Sequence, residues 1–598
     1  MNFRLFAFLI VVTVLRLVRI GNVGLMPDEA YYHEWSQHLD WWYFSKGPGI
    51  AFIMRAGTAL FGHTEFGVRF FAPLFGLGTT LLIHWLARRI YDARVAFWTV
   101  IVMSVTPIFN AGALLMTIDA PSIFFWAASL CTFWIALEKS PAFSWWWIFT
   151  GILTGLGFLC KMTNMAFFAS VFLLLVMTPR HRGELIGRGF WAMIFVFIPF
   201  MVPAAMWNES HGWPTTTHLA ARGGLDAAWW NINPVAFGEF VAFQFGVYSP
   251  FIFFTMMMAL VATTAPSFRR WMVAAARSIA GLPYGLRSSW IGWLVFGLLL
   301  LGLWMAGNFF EMPLFHRGIV WLAVLGGIIF IGSHKDAPNM QWKPRFLAAF
   351  ALPLLLAYAW IALHHKTQPN WTAPAIVSLA ILTTSYGMDR VLRGVRGACG
   401  FTVAAFVLGA LISIAMVNTD IVRAMGIPWP YERDPSGRML GWREVAEKVG
   451  AFREAIEREG GQKTFLIANN YSTAAELCFY LPEKRIEAPG HPAVYVPESP
   501  VAENQFHFWG RYDEFEERKT PVINDQADSS EYGVSRFAGR TAIYVTDNTL
   551  ETAPMDPLYR TFARWELKTT FEFARSGLPL RKVNIFLLYR YQPGKMLD

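Results

Sequence analysis

Long apolar stretches separated by short polar connections recur from the start of the chain to about residue 420. A helix of about 20 mostly apolar residues crosses the roughly 30 Å hydrocarbon core of a bilayer. By that criterion the pattern predicts about thirteen membrane spans, near residues 4–20, 68–87, 94–112, 120–138, 145–161, 163–178, 189–207, 236–264, 289–308, 314–332, 346–363, 371–387 and 400–418. The chain is therefore predicted to be mainly α-helical and to form a polytopic transmembrane helical bundle.

The composition agrees with a membrane protein and excludes two other classes. Of 598 residues, 55% are hydrophobic and 15% are charged, and the mean hydropathy is +0.38. A water-soluble globular protein of this size does not show such values. The net charge is +9, but the Lys and Arg residues fall in short clusters between apolar stretches, where membrane orientation accounts for them. Nucleic acid is therefore not predicted as a partner.

Basic residues mark alternate connections between the predicted spans. The clusters are Arg88, Arg89 and Arg94; Arg180, Arg182 and Arg188; Arg269, Arg270, Arg277 and Arg287; Lys335, Lys343 and Arg345; and Arg390, Arg393 and Arg396. Lys and Arg are retained on the cytoplasmic side of a membrane, so this alternation predicts a cytoplasmic N-terminus and an extracytoplasmic C-terminal region. Residues 1–20 are predicted to be a retained helix, because no small-x-small cleavage site follows them.

The composition changes near residue 420, which predicts a transmembrane domain over 1–419 and an extracytoplasmic (periplasmic) domain over 420–598. The later region is charged and has no apolar stretch long enough to span. Two helices are predicted there, one over 441–461 that ends at glycine and one over 472–481 capped by Ser472. Strands are predicted at 464–470, 540–548 and 582–591. A small soluble α/β domain is the simplest interpretation.

Two long connections are predicted on the outer face, residues 21–67 and 208–235. The first contains two amphipathic pieces, 28–39 and 49–61, separated by a cluster of aromatic residues. Such segments are typical of helices that lie in the membrane interface, because Trp and Tyr favour the headgroup level. Interfacial helices are therefore predicted in the first external loop.

Carboxylates and lysines cluster on this predicted outer face. Asp28 and Glu29 directly follow the first span, and Asp119 begins a later one. A structural role remains open for each of these acids, because carboxylates favour the first turn of a helix. Lysines at outer positions, Lys46, Lys161 and Lys366, run against the positive-inside bias. A lysine neutralises a phosphate leaving group and a carboxylate accepts the proton of an attacking hydroxyl, so these residues indicate chemistry on a lipid-linked phosphate.

Other cofactor-dependent chemistry finds no support in the motifs. The HEW sequence at 33–35 lacks the second histidine that an HExxH zinc site needs, and His364 and His365 are adjacent, so they cannot act as i, i+4 ligands. No Walker loop occurs, and no GxGxxG stands between a strand and a helix. The sequence predicts no resident metal or nucleotide.

The motifs PDEAYYHE (27–34), FSKGPGIAF (44–52), LLMTIDAPSIFFW (114–126), GLGFLCKMTNMAFF (155–168) and KTQPNW (366–371) resemble those of a known family. The family is the membrane glycosyltransferases of the C-type (GT-C) fold, specifically the protein O-mannosyltransferase and lipid A aminoarabinose transferase group. The resemblance covers about residues 1–390 and, more loosely, the C-terminal region. It implies transfer of a sugar, with inversion, from a polyprenyl-phosphate donor on the outer face of a bacterial-type cytoplasmic membrane.

Residue roles follow from the matched motifs. The resemblance implies that Asp28 is the base or an essential acidic residue, with Glu29 as its partner and Asp119 as the acid of a second loop. Lys46 is implied as the donor-phosphate contact, with Lys161 and Lys366 as further candidates for the same phosphate. Residues implied to line a pocket are Tyr31, Arg222 and Gln244.

One position departs from the family pattern. Aminoarabinose transferases carry an acidic residue before the lysine and two prolines after it, where this chain has Ser45-Lys46-Gly47-Pro48. A metal site that used that acid is not expected, so no cofactor is predicted, and a divalent cation stays open as an alternative. The predicted partners are the membrane, a polyprenyl-phosphate sugar, most simply an undecaprenyl-phosphate sugar, and a lipid, polysaccharide or protein acceptor.

Two other classes of function remain open at this point. A membrane transporter of a small solute or of a lipid-linked sugar would also have many helices, but transporters place ionisable residues near the midplane and in related halves. Here the candidate residues lie at outer ends of the predicted spans. The third class is a non-catalytic assembly subunit whose external region binds partners.

Overall fold

The computed structural model describes residues 3–223, 232–264, 342–514, 535–548 and 550–593. Most of these residues are helical, so the prediction of a mainly α-helical chain is confirmed. The helices are α1 Phe3–Arg19, α2 Pro27–Gln37, α3 Gly49–Phe61, α4 Glu65–Arg69, α5 Phe71–Ile90, α6 Ala93–Ser104, α7 Pro107–Gly112, α8 Asp119–Glu138, α9 Trp146–Cys160, α10 Ala166–Met177, α11 Arg188–Phe197, α12 Val202–Ser210, α13 Pro214–Gly223, α14 Pro234–Tyr248, α15 Pro250–Thr264, α16 Trp342–Ala349, α17 Leu352–Ala362, α18 Ile376–Leu392, α19 Ala398–Val417, α20 Asp420–Ala424, α21 Trp442–Gly460, α22 Tyr471–Tyr480 and α23 Asp556–Thr561.

Within the described ranges, six helical segments are long and apolar enough to cross a membrane, or seven if a bent pair is counted as one span. The six are Glu65–Ile90, Asp119–Glu138, Arg188–Ser210, Trp342–Ala362, Pro369–Leu392 and Ala398–Val417. The predicted spans at 289–308 and 314–332 lie outside the described residues, as do the basic residues Arg269 to Lys335. The total of about thirteen spans therefore stays a prediction.

Two predicted spans are interrupted at proline. The sequence predicts one helix over 236–264, but α14 and α15 meet at an angle of 109°. Ser249 between them has φ 72°, and Pro250 has no N–H to continue the helical hydrogen bonding. The predicted span 94–112 likewise divides before Pro107. Hydropathy alone missed both breaks because it does not register the lost backbone donor.

Contacts along the chain divide it into two compact units. The first unit contains Met1–Leu9, Phe75–Ala113 and Ile118–Ile414. Its core is apolar and rich in aromatic rings from α8 and α16. Trp134 and Trp342 stack with ring centroids 4.5 Å apart, and Phe133 stacks on Phe346 at 6.1 Å. Large, rigid rings of this kind fix the relative positions of the helices that carry them.

The second unit contains Ile10–Leu74, Leu114–Thr117 and Ala415–Asp598. It joins the first external loop to the C-terminal region through backbone-to-side-chain hydrogen bonds. Leu25 N–H donates to the Tyr480 hydroxyl at 2.8 Å, and Phe44 N–H donates to Gln505 Oε1 at 2.7 Å. Helices α2 and α3 occur where the sequence predicts them. The predicted domain boundary at 419/420 and the interfacial position of these helices stay predictions.

A four-stranded sheet lies in the second unit, with strands β1 Phe465–Ala468, β2 Ala542–Thr546, β3 Phe562–Arg575 and β4 Leu578–Tyr591. The strand order is β1-β2-β4-β3. β1 and β2 are parallel, whereas β2–β4 and β3–β4 are antiparallel. β1, β2 and the central part of β4 are buried, as expected for strands rich in Ile, Leu, Val and Phe.

Three of these strands match the predicted ones, and β3 was missed. β3 carries charged residues at close intervals and is largely solvent-accessible, so it lacks the apolar run on which the other predictions rest. The cap of α22 also differs from the prediction. Asn470, and not Ser472, is the N-cap, since its side chain accepts a hydrogen bond from Thr473 N–H.

The contact between α9 and α11 generates a test of the fold. A Cβ at Gly151 would lie 2.4 Å from the carbonyl oxygen of Met193, so the two backbones approach too closely for any side chain. We expect Gly151→Ala to lower the stability of the protein by about 1–3 kcal/mol, because overpacking forces the helices apart. Thermal unfolding of the full chain in detergent measures the change.

Gly246→Ala in α14 is the matched control, because no atom of the described residues lies within 4 Å of the Cβ it would add. Alanine is a better helix former than glycine by about 1 kcal/mol, so this variant should unfold at the wild-type temperature or above it. Equal unfolding temperatures for the two variants would contradict the proposed close approach of α9 and α11.

Candidate functional site

The acidic pair at the start of α2 consists of two carboxylates in different surroundings. Glu29 is fully buried, and its carboxylate accepts four hydrogen bonds. Arg69 donates two, from Nε at 2.8 Å and from Nη2 at 2.5 Å. The backbone N–H groups of Met26 and Met116 donate the others at 2.9 and 2.8 Å. Each carboxylate oxygen thus accepts two hydrogen bonds, and these bonds hold the side chain of Glu29 in place.

Arg69 is the residue that sequence reasoning missed. Its side chain is 2% exposed, and its remaining donors bind the carbonyl oxygens of Ile20, Val23 and Gly24 at 3.0, 2.7 and 2.7 Å. All five N–H groups of the guanidinium are therefore satisfied. The available signal was an arginine at the outer end of a predicted span, the same signal that drew attention to the lysines.

Asp28 is half-buried and differs from its neighbour. It is the second residue of α2, whose N-cap position is Met26, so it does not cap the helix. Among the described residues, Asp28 has no hydrogen-bond or ion-pair partner. Of the acidic pair, Asp28 is therefore the carboxylate that is available for chemistry.

The rest of α2 is buried within the second unit. The Tyr31 hydroxyl accepts a hydrogen bond from Gln505 N–H at 2.6 Å, and its ring lies 4.6 Å from that of Tyr471. Burial raises the pKa of Glu34 to about 7 and lowers the pKa of His33. Tyr31 is predicted to line a pocket. Its contacts with Gln505 and Tyr471 hold in place the helix that carries Asp28.

Lys46 follows the aromatic cluster of the same loop and is half-buried. Its Nζ lies 5.6 Å from the centre of the Tyr32 ring, within the range of a cation–π contact. Tyr32 is part of α2. Lys46 thus lies beside the helix that carries Asp28.

In the first unit, Asp119 and Lys161 form a buried ion pair. The Lys161 Nζ lies 2.6 Å from Asp119 Oδ1, and Asn370 Nδ2 donates to Oδ2 at 2.6 Å. Both residues are less than a tenth exposed. The sequence predicted these two residues in separate roles, as an acid and as a phosphate contact. A buried charge of either sign is costly unless it is paired, and here each neutralises the other.

The KTQPNW motif is the segment on which the first-unit candidates meet. Gln244 is buried, donates to the Pro369 carbonyl at 3.3 Å and accepts from Thr372 at 2.9 Å. The guanidinium of Arg222 lies 5.9 Å from the centre of the Trp371 ring. Since Asn370 of the same segment binds Asp119, these candidates surround one short stretch of chain.

Lys366, at the start of that motif, has a different environment. Its Nζ pairs with Glu239 Oε2 at 3.3 Å, and the two side chains are 73% and 42% exposed. Such surface pairs exchange readily with solvent. In the part of the chain that the structure describes, no group of three or more His, Cys, Asp or Glu side chains is arranged to hold a metal ion.

Part of the chain is similar in sequence to a known protein family and to known transferases. Residues 45–207 match the family model described as dolichyl-phosphate-mannose-protein mannosyltransferase. Lipid A galacturonosyltransferase RgtD of Rhizobium johnstonii is 30% identical over 249 residues, which cover 41% of this chain and 50% of that protein. The undecaprenyl phosphate-alpha-4-amino-4-deoxy-L-arabinose arabinosyl transferase of Pseudomonas aeruginosa is 29% identical over 251 residues, 37% of this chain and 45% of the relative.

A solved structure aligns along nearly the whole chain. It is ArnT from Cupriavidus metallidurans bound to undecaprenyl phosphate, which is 15% identical with a TM-score of 0.49 over 98% of both chains. The curated relatives are matched over half of their length or less.

The family and relative matches confirm the resemblance predicted from the sequence, that to the membrane glycosyltransferases of the C-type fold. Within that class, the chain resembles the ArnT-like transferases. A multi-pass membrane protein is also confirmed, since the apolar helices and the family agree. The orientation of the termini stays a prediction.

The Glu29–Arg69 ion pair generates a test of stability. Arg69→Met leaves Glu29 buried without its main partner, so we expect the variant to lose about 3–5 kcal/mol of unfolding free energy. Arg69→Lys keeps the charge but offers three donors to five acceptors. We therefore expect its free energy of unfolding to lie between those of Arg69→Met and the wild type. Thermal unfolding of the detergent-solubilised chain measures both.

Arg89→Met serves as the control for this experiment, because it breaks an ion pair with Glu138 in which the side chains are 58% and 27% exposed. We expect that change to leave the unfolding temperature close to that of the wild type, because solvent screens an exposed ion pair. If Arg69→Met and Arg89→Met unfold at the same temperature, the buried ion pair does not have the structural role assigned to it.

The Asp119–Lys161 pair generates a second test. Lys161→Met leaves a buried carboxylate without its counter-charge, and we expect a loss of about 3–5 kcal/mol. The double variant Asp119→Asn/Lys161→Met removes both charges and keeps an acceptor for Asn370, so it should be more stable than Lys161→Met alone. A double-mutant cycle on unfolding free energy gives the coupling. Strictly additive losses would contradict a direct pair.

Proposed function

We propose that the protein is a glycosyltransferase that moves a sugar from a polyprenyl-phosphate donor, most simply undecaprenyl phosphate, to a lipid, polysaccharide or protein acceptor. The transfer takes place on the outer face of the cytoplasmic membrane and inverts the anomeric configuration. The observation that carries the proposal is the division of the acidic pair, in which Glu29 is saturated by donors and Asp28 is not.

Asp28 is the general base in this mechanism. It lies in the first turn of α2 and accepts the proton of the acceptor hydroxyl as that oxygen attacks the anomeric carbon of the sugar. A glycosidic bond forms, and the bond between the anomeric carbon and the phosphate oxygen of the donor breaks. The polyprenyl phosphate leaves with the electron pair, and the proton stays on Asp28.

Lys46 stabilises the leaving phosphate. Its ammonium group lies beside Tyr32 of α2, and a point charge near the phosphate oxygens offsets the negative charge that develops as the sugar departs. Lys46 and Asp28 belong to the same loop of the second unit. A base and an electrostatic stabiliser on one short segment are the minimum that such a displacement needs.

Glu29 has a positioning role in this proposal and not that of a second acid. Its contacts with Arg69 and with the N–H of Met26 fix the first turn of α2, and Asp28 lies in that turn. Fixing the base before substrate arrives reduces the reorganisation needed in the transition state. Asp119 and Lys161 are proposed to contribute as a neutral pair that keeps the KTQPNW motif in place.

The relatives supply the identity of the donor in this proposal. The Pseudomonas protein is named for an undecaprenyl-phosphate-linked aminoarabinose, and the Rhizobium protein for galacturonosyl transfer to lipid A. The two names give different sugars, and the Pseudomonas name also gives the undecaprenyl-phosphate carrier. The carrier is therefore part of the proposal, and the sugar is left open.

A membrane transporter of a small solute or of a lipid-linked sugar is the second candidate function. The 109° bend between α14 and α15 favours it, because interrupted helices often form transport sites. Protein-dependent uptake of the labelled solute into liposomes, in the absence of any sugar transfer, would select this candidate over the first.

A transfer assay tests the proposed function. Membranes from a deletion strain that expresses the full chain receive an undecaprenyl-phosphate sugar, and mass spectrometry of glycolipids and glycoproteins measures the product. We expect Asp28→Asn to reduce the rate by about 100-fold or more, because amides do not accept the proton. Lys46→Gln should raise the KM for the donor as well as lower kcat.

Asp389→Asn is the matched control, since its carboxylate is 49% exposed and pairs with Arg393 on the surface of α18. It should transfer sugar at the wild-type rate. Thermal unfolding confirms that each variant is folded before its rate is compared. A folded Asp28→Asn variant that transfers sugar as fast as the control would overturn the assignment of the base.

A further inference from the structure

A cleft of about 370 Å³ lies in the second unit, and the mechanism above does not use it. Its volume is within the roughly 300 to 1,000 Å³ typical of small-molecule sites. With the exception of Pro27, its lining comes from residues 431–581, a region beyond the 45–207 segment that matches the family model. The cleft is therefore formed by a part of the chain to which the family model assigns no role.

The charges in the cleft balance, which constrains its ligand. Two arginines and three acidic residues line it, namely Arg438, Arg581, Glu432, Asp434 and Asp547. Asp434 is already paired with a further arginine, Arg423, at 2.6 Å. A site without net positive charge does not attract a phosphate or another anion. With Asp434 neutralised by Arg423, two acidic residues and two arginines remain in the lining, and this equal count favours a neutral ligand.

The side chains at the opening offer both donors and acceptors. Arg438 and Glu432 are exposed, and in the described ranges neither side chain has a hydrogen bond or salt bridge. Asn470 and Ser472 add amide and hydroxyl groups, and Leu580 adds an apolar surface. Alternating donors, acceptors and small apolar surfaces match a polyhydroxylated ring, whose hydroxyls both donate and accept and whose C–H face is apolar.

A buried carboxyl group next to the cleft is an independent sign of a polar site. Glu476 is fully buried, and within the described residues neither of its oxygens has a hydrogen-bond partner. It interacts electrostatically with Arg581 and Arg438 of the cleft and with Glu29 and Arg69 of the ion pair. Unsatisfied buried carboxyls are rare in proteins, and this one interacts both with arginines of the cleft and with the ion pair that holds the first turn of α2.

The cleft also adjoins the proposed base. Pro27, which lines it, is the residue before Asp28. The ring of Tyr471, another lining residue, contacts Tyr31 at 4.6 Å, and Tyr31 lies three residues after Asp28, on the same side of a helix. A ligand in the cleft is thus close to the first turn of α2.

We infer that this cleft binds the neutral saccharide portion of the acceptor and presents one of its hydroxyls to Asp28. The inference rests on the proposed function, because it names the chemical class of acceptor for the same base. It assigns specificity to the C-terminal region, so chains that share the motifs of residues 27–371 but differ in the cleft should act on different acceptors.

Saturation-transfer NMR on the full chain in detergent tests binding without any transfer. The probes are three neutral disaccharides, N,N′-diacetylchitobiose, maltose and lactose, with inorganic phosphate as the charged competitor. We expect at least one disaccharide to bind, and Arg438→Gln or Glu432→Gln to weaken that binding about fivefold, the effect of one hydrogen bond near 1 kcal/mol. Equimolar phosphate should not displace it.

Arg433→Gln is the matched control, since Arg433 is exposed and adjacent in sequence but does not line the cleft. Its affinity for the disaccharide should equal that of the wild type. Three results would overturn the inference: no binding of any disaccharide, binding that both cleft variants leave unchanged, or displacement by phosphate. All variants are first checked for wild-type thermal unfolding.

The binding result and the transfer result are separable. If a disaccharide binds as described while Asp28→Asn transfers sugar at the wild-type rate, the proposed base is wrong and the saccharide site remains. If Asp28→Asn abolishes transfer while no disaccharide binds, the transferase remains and the cleft has no role in the acceptor. In the supported case, the bound disaccharide also inhibits transfer competitively with the acceptor.

Discussion

The ion pair between Glu29 and Arg69 is the constraint on which the arrangement of the second unit depends. Removing two charges from water costs several kcal/mol per ion unless every hydrogen-bonding group is satisfied. Here four donors meet the carboxylate and five acceptors meet the guanidinium. Those partners lie in residues 20–29, which follow α1 and lead into α2, and at Met116. Together with Arg69 in α4, the ion pair thus holds together three segments that are distant in sequence.

A consequence of this constraint is that the loop and the C-terminal region fold as one compact unit. Where the chain turns into α2, a Cβ at Gly24 would lie 2.3 Å from the carbonyl oxygen of Met439, so only glycine permits that approach. Tyr480 binds both Leu25 N–H and Glu65. The first turn of α2, which carries Asp28, is thus held by Arg69 of α4 and by Tyr480 of the C-terminal region.

The sequence allowed the helices and several site residues to be predicted, because hydropathy and residue type are local properties. It did not allow their pairing to be predicted. Asp119 and Lys161 were each recognised as charges at outer ends of spans, yet their ion pair joins residues 42 positions apart. Arg69 was missed because its role depends on five acceptors brought together by folding. β3 was missed because a solvent-exposed strand has no apolar run to mark it.

The geometry of a helix explains why the acidic pair could not share one role. Successive residues on an α-helix project about 100° apart, so when Glu29 turns into the protein to meet Arg69, Asp28 must turn away from it. Glu29, the buried carboxylate, neutralises Arg69. Asp28 has no comparable role in the fold. In an adjacent Asp-Glu pair at the start of a helix, one carboxylate is therefore fixed and its neighbour is available as a base. Here the contacts of Glu29 hold the helical turn rigid, so that Asp28 can accept a proton from a defined direction.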